Sequence, residues 1–250
     1  MSVTNEEYII SKSGVKVYRK PEYHPLLKGT NLSHCDFLRK MSETFPKHIA
    51  EGLPKICSEN SEDALTWHYF SPLLSATGNY KRKWLKAFLT KALWHIPDNR
   101  PTENLENAQI SFWRGKEKSP IFSPPPGLNQ KEGNTEVDVL IRIPDQAIIF
   151  VESKYKSPIS SGTIYDSSRD QIIRNLDVGS YYAWKNEYDF FFILLTEKED
   201  EKSKQLLDFY HGNPKNVVEI LSHRDDIPEK LHLLMKNLGY ITWDRLQNLT

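Results

Sequence analysis

Residues 135–156 run TEVDVLIRIPDQAIIFVESKYK, and this stretch decides the fold. Two apolar runs flank Pro144-Asp145-Gln146, which supplies good turn chemistry. In the first run Val137, Val139, Ile141 and Ile143 alternate with Glu136, Asp138, Leu140 and Arg142. Side chains along a strand alternate between faces, so the Val/Ile set forms a wholly apolar face that must pack on a core. The second run, AIIFV, leads straight into Glu152-Ser153-Lys154. Glu152, Lys154 and Lys156 share a face of that strand.

The register follows from the loop. If Pro144, Asp145 and Gln146 form it, Ile143 faces Ala147, and counting back along both strands puts Asp138 opposite Glu152. A loop of two or four residues slips the register by one and sends the two carboxylates to opposite faces. Paired carboxylates repel unless a cation sits between them, so the odd-length loop predicts a metal. Hard oxygen ligands suit Mg²⁺ or Mn²⁺. The same residues also fit a surface hairpin with a Glu–Lys pair, which contributes little.

Outward from the hairpin, strands and helices alternate. Residues 15–18 and 108–114 read as strands. Residues 62–75 and 80–94 have helical spacing, the latter through Trp84, Leu85, Phe88, Leu89 and Leu93. Residues 36–57 are helical in pattern, interrupted at Pro46 and Pro54. A long loop, 115–135, carries Pro124-Pro125-Pro126. After the hairpin come a helix (169–184), a buried strand (190–196), a helix (201–210), a strand (217–221), a helix (228–236) and a final strand running into a helix. The fold class predicted is α/β, a mixed central β-sheet flanked by helices. Residues 1–60 form a partly helical N-terminal extension, and 61–250 one α/β domain packed as a single unit.

These segments resemble the PD-(D/E)xK nuclease superfamily, the restriction-endonuclease-like fold. The resemblance rests on Asp138, Glu152 and Lys154 and covers about residues 61–196. Upstream, SEDALTWHYFSPL (61–73) is similar to the family's early helix and places Glu62 at its glutamate position. Downstream, RDQIIRNLD (169–177) places Gln171 where many members carry an auxiliary glutamine. Val137 stands where the motif name has proline, a loose position in the family. The resemblance implies a restriction-endonuclease-like core and a metal-dependent nuclease acting on DNA, an endonuclease of the restriction, defence or repair type. It implies Mg²⁺ (or Mn²⁺) on Asp138, Glu152, the Ser153 carbonyl and Glu62, and catalysis by these acids with Lys154 and Gln171. Lys154 would position the attacking water. A homodimer would let such an enzyme cut both strands. The alternative is a catalytically silent nuclease-like fold that binds nucleic acid or serves assembly.

Several of these residues have a second explanation. Glu62 and Asp63 follow Asn60-Ser61 in a first helical turn, where acids suit the cap and the helix dipole. Ser168 to Gln171 fits a capping box. Gln171, Asn175 and Tyr182 share a helical face that could meet substrate. Lys81, Arg82, Lys83 and Lys86 form either a solvated face or phosphate contacts. Lys116 and Lys118, on the Pro-rich loop, are candidates for a flap over DNA.

Composition narrows the rest. The chain has 250 residues with 33 basic and 33 acidic side chains, so nucleic-acid affinity must come from local patches. Its two cysteines, Cys35 and Cys57, point to a reducing compartment and not to a disulfide framework. His34 beside Cys35 is incidental as a nucleophile–base pair. The sequence has no Cys/His zinc spacing, nucleophile elbow, phosphate-binding glycine loop or dinucleotide fingerprint. It also lacks a signal-peptide pattern and a membrane-length apolar run. The expectation is a soluble, cytoplasmic protein.

Overall fold

The Pro144-Asp145-Gln146 loop closes the hairpin with Ile143 paired to Ala147, the odd-length geometry required above. Asp145 takes a left-handed conformation (φ 57°), which aspartate tolerates, and the Gln146 N–H donates to the Ile143 carbonyl at 3.2 Å. The structure is a computed structural model that describes residues 7–11, 13–29, 55–112, 121–128, 132–160 and 169–249, without the side chains of Lys55 and Ile121. The predicted helical segment 36–57 lies almost wholly outside the described residues, as do His34, Cys35, Lys116, Lys118 and Ser168.

The chain forms two compact units, Met1–Ser75 and Ala76–Thr250. In the first, strands β1 (Tyr8–Ile10) and β2 (Lys16–Tyr18) pair antiparallel. Helices α1 (Glu62–Phe70) and α2 (Pro72–Ser75) follow, where the sequence suggested one continuous helix. Pro72 divides them: Ser71 keeps helical backbone angles and its N–H bonds Trp67 O, but Pro72 has no N–H to continue the ladder and its ring crowds the preceding turn. Cys57 is buried here, and burial pushes its thiol up to about 12, which makes it a poor nucleophile.

The second unit opens with helix α3 (Gly78–Ala92) and carries a five-stranded mixed sheet. Its strands are β3 (Gln109–Phe112), β6 (Val139–Ile143), β7 (Ala147–Ser153), β8 (Asp189–Thr196) and β9 (Leu238–Thr242), in the order β3-β6-β7-β8-β9. β3 and β6 run antiparallel to their neighbours, whereas β7, β8 and β9 are mutually parallel. The parallel strands are joined through helices: α4 (Gln171–Lys185) links β7 to β8, and α5 (Glu201–Gly212), α6 (Pro214–Ile220) and α7 (Ile227–Lys236) link β8 to β9. A short helix, α8 (Trp243–Gln247), ends the described chain. The architecture is therefore α/β with a mixed sheet flanked by helices.

Every residue of β7 is buried, as a central strand covered on both faces must be. On one face Ile148, Phe150, Phe190, Phe192 and Leu194 pack with Ile172, Ile173 and Leu176 of α4 and with Leu207 of α5. Gly179 lets α4 approach: a Cβ there would lie 2.2 Å from the Phe190 ring. On the other face a Cβ at Gly239 would meet Leu93 at 2.8 Å, so the end of α3 rests against β9.

Two departures from the sequence have local causes. Residues 217–221, expected as a strand, belong mostly to α6. Pro214 at its first position pre-sets helical φ, and Val217 packs into the core beside Leu221, so context overrides β-branched propensity. The long loop also contains a two-residue ladder, β4 (Ile121–Phe122) on β5 (Thr135–Glu136). Phe122 anchors it by contacts to Phe150 and Tyr182 with ring centroids 4.9 and 4.8 Å away.

Candidate active site at the fork of the hairpin

The β6–β7 ladder ends at Val139 opposite Val151. One step further the strands part, because the preceding residues turn to pair with β4. Asp138 sits in this fork, one residue beyond the last paired position, close enough for its charge to act on Glu152. Its Oδ2 accepts the Ser153 N–H at 2.8 Å, so the side chain replaces a lost ladder bond. The apolar alternation of 137–143 and the three-residue loop bring the two acids to this end of the sheet.

Glu152 is 3% exposed, yet it carries a carboxylate. The Lys154 Nζ donates to its Oε1 at 2.5 Å, and the Asn175 Nδ2 donates to its Oε2 at 3.0 Å. Lys154 Nζ also donates to the Ser153 carbonyl at 2.9 Å. The Lys154 backbone is held at both ends. Its N–H donates to Leu195 O at 2.7 Å, and its carbonyl accepts the Trp243 indole N–H at 2.9 Å. Burial, and then the charge of Asp138, push the Glu152 carboxyl up to about 7 against the pull of Lys154 and Asn175. One ammonium and one amide thus leave this carboxylate under-compensated.

The predicted residues are not all gathered equally. Asp138, Glu152, Ser153 and Lys154 come together. Gln171 is the first residue of α4, and its Oε1 accepts the Ser160 N–H at 3.4 Å. Its carbonyl holds Asn175, whose Nδ2 donates to it at 2.9 Å. Asn175, one turn along the same face, is the residue of this helix that contacts Glu152; the i, i+4 spacing was visible in the sequence. The cap of α4 is Asp170, whose Oδ1 accepts the Ile173 N–H at 3.0 Å, so Gln171 does not act in a capping box. Glu62 opens α1 in the first unit, behind Ser61, whose side chain caps that helix.

Sequence reasoning missed the buried ionic cluster beneath α4. Asp177 accepts from Arg169 at 2.7 Å and Arg224 at 3.4 Å, and His223 lies 2.9 Å away. Glu132 pairs with Arg169 at 2.8 Å and Arg174 at 2.7 Å. Glu132 and Arg224 reach this cluster across 37 and 47 residues of sequence, and no local pattern marks a charge that will be buried. Asp170 is tied in as well, accepting the Tyr210 hydroxyl at 2.5 Å.

Among the described residues no group of three or more His, Cys, Asp or Glu converges on one point. The oxygens at the fork are two carboxylates and the Ser153 carbonyl. That set suits a hydrated Mg²⁺, which keeps several waters and takes one or two carboxylates; it does not suit an all-protein cage. The buried Asn175 Oδ1 has no hydrogen-bond partner among the described residues, as expected beside a site that takes water or a hydrated ion. Among the described residues no helix is long and apolar enough to cross a membrane. No protein-family model, curated protein or solved structure matches this chain, so the site is argued from its own geometry.

Proposed function

We propose that the chain is a Mg²⁺- or Mn²⁺-dependent nuclease that hydrolyses phosphodiester bonds of DNA. The observation that carries this reading is the meeting of Asp138, Glu152 and Lys154 at one sheet end, with Glu152 buried and short of positive charge. A divalent ion held there would supply Lewis-acid polarisation of the phosphate and an acidified water. Asp138 and Glu152 would hold it, with the Ser153 carbonyl. Asn175 orients Glu152, and Lys154 supplies positive charge for the water and for the charge that builds on phosphorus-bound oxygens. Restriction, defence or repair as the setting, a homodimer, and Glu62 and Gln171 as auxiliary residues belong to the same proposal and rest on the family resemblance.

The test is plasmid cleavage by the purified protein with Mg²⁺, Mn²⁺ or EDTA, beside Asp138→Ala and Lys154→Ala. The expected outcome is metal-dependent nicking that falls at least about 100-fold in both variants, the scale of a lost electrostatic stabiliser. Cleavage surviving in both would refute the assignment. One observation favours a silent binding module instead: Lys154 and Asn175 already engage both Glu152 oxygens. Absence of cleavage on every DNA and RNA, with the fold intact, would select that second reading.

A further inference from the structure

We propose that Lys154 is a resident counter-cation that a divalent metal must displace, because its ammonium sits on the two oxygens, Glu152 Oε1 and Ser153 O, that the metal would take. The inference rests on the reading of Asp138 and Glu152 as a metal site. Nζ lies 2.5 Å from Glu152 Oε1 and 2.9 Å from the Ser153 carbonyl. Both oxygens are thus engaged by one cation, so a metal taking the same oxygens competes with it for their lone pairs and is repelled by its charge. An ammonium is a point charge with no fixed coordination geometry, so it substitutes readily for an ion among oxygen acceptors. The exchange requires little of the fold. The Lys154 main chain is tied to Leu195 and Trp243, so only the flexible four-carbon stem needs to swing. The half-exposed side of the cluster is that of Asp138, whereas Glu152, Lys154 and Asn175 are buried, so the ammonium's way out leads past Asp138. That is also the side from which substrate would reach the metal. Metal arrival would therefore deliver Lys154 to the place where the reaction needs a cation. It follows that the lysine holds metal affinity down.

The test is Mn²⁺ titration by calorimetry on the full chain, at fixed ionic strength, for the wild type, Lys154→Met, Lys156→Met and Glu152→Gln. Lys156 is a control for simple loss of nearby charge. Lys154→Met is expected to bind Mn²⁺ at least about tenfold more tightly, Lys156→Met within about twofold of wild type, and Glu152→Gln not measurably. Affinity in Lys154→Met no higher than in Lys156→Met would overturn the proposal. Should Lys154→Met fail to fold, a crystal structure of the wild type with Mn²⁺ decides. Nζ withdrawn from Glu152 Oε1 supports displacement, and Nζ still bonded to it beside the ion overturns it. No Mn²⁺ bound by wild type or Lys154→Met at millimolar concentration removes both this proposal and the metal site beneath it. Displacement observed without cleavage of any nucleic acid leaves the lysine exchange standing and removes the nuclease reading.

Discussion

Two of the acids buried on the α4 side of this protein, Asp177 and Glu152, are treated in opposite ways. Asp177, fully buried, receives Arg169, Arg224 and His223. Burial pushes its carboxyl up, but the His223 hydrogen bond and the charge of Arg169 outweigh that and hold it below the usual aspartate value. Glu152, almost as buried, has one lysine and one amide, and a second acid beside it, and its carboxyl is raised. The difference separates two uses of a buried charge. An over-compensated acid is a keystone that ties loops to a helix. An under-compensated one is held in a state that a further cation would relieve, which is how a binding site differs from a structural ion pair.

The largest expected effect comes from breaking the keystone. Asp177→Asn keeps the shape but leaves Arg169 and Arg224 facing each other without their shared anion. Removing one partner of a buried pair costs about 3–5 kcal/mol. Urea denaturation should give a loss of that size, with a fall in the thermal midpoint of about 10 °C. A loss below about 1 kcal/mol would mean that the cluster is hydrated and the contrast with Glu152 is false.

A smaller effect should follow from Asn175→Ala. It removes the amide that Glu152 Oε2 accepts and the bond to the Gln171 carbonyl. The expected cost is about 1–3 kcal/mol, since a charged acceptor loses a donor. Cleavage should fall about tenfold or more with the metal requirement unchanged, the scale seen when an outer-shell partner of a ligand is removed. Full activity with lowered stability would place Asn175 with the keystone and not with the site.

The comparison also explains what was legible beforehand. The hairpin was, because a period-2 pattern and a three-residue turn leave one register that buries Val139, Ile141 and Ile143. The apolar run of β8 announced a buried strand for the same reason. Asp138, Glu152 and Lys154 were legible because they lie within one hairpin, where short-range counting suffices. Arg169, Asp177 and Arg224 were not: Arg224 reaches Asp177 across 47 residues of sequence, and no local pattern marks a charge that will be buried. Residues 217–221 misled for the opposite reason, since Val217-Val218 looks like a strand until Pro214 sets the helix.

The finest discrimination comes from removing the Glu152–Lys154 pair as a whole. Lys154→Met with Glu152→Gln takes away both charges while leaving an oxygen for Asn175 to meet. Replacing a buried pair by neutral groups is often neutral or stabilising, because the desolvation cost disappears with the charges. Metal-free stability at neutral pH should therefore lie within about 1 kcal/mol of wild type or above it. The pH dependence sharpens this. The Glu152 carboxyl is raised from 4.5 to about 7, so between these values the folded state binds more protons than the unfolded one. Stability must then fall as pH rises through that window, and remain level above it. For Asp177 the sign is reversed: its contribution is present above the usual aspartate value of 3.8 and fades only as pH falls below it. The double variant should lose the slope between 4.5 and about 7 and keep the acid limb below 3.8. Saturating Mn²⁺ should abolish the same slope in the wild type, because a bound cation favours the ionised carboxylate. A wild type whose stability is flat across the window without metal would show that Lys154 alone compensates Glu152, and the two acids would then be the same kind of keystone.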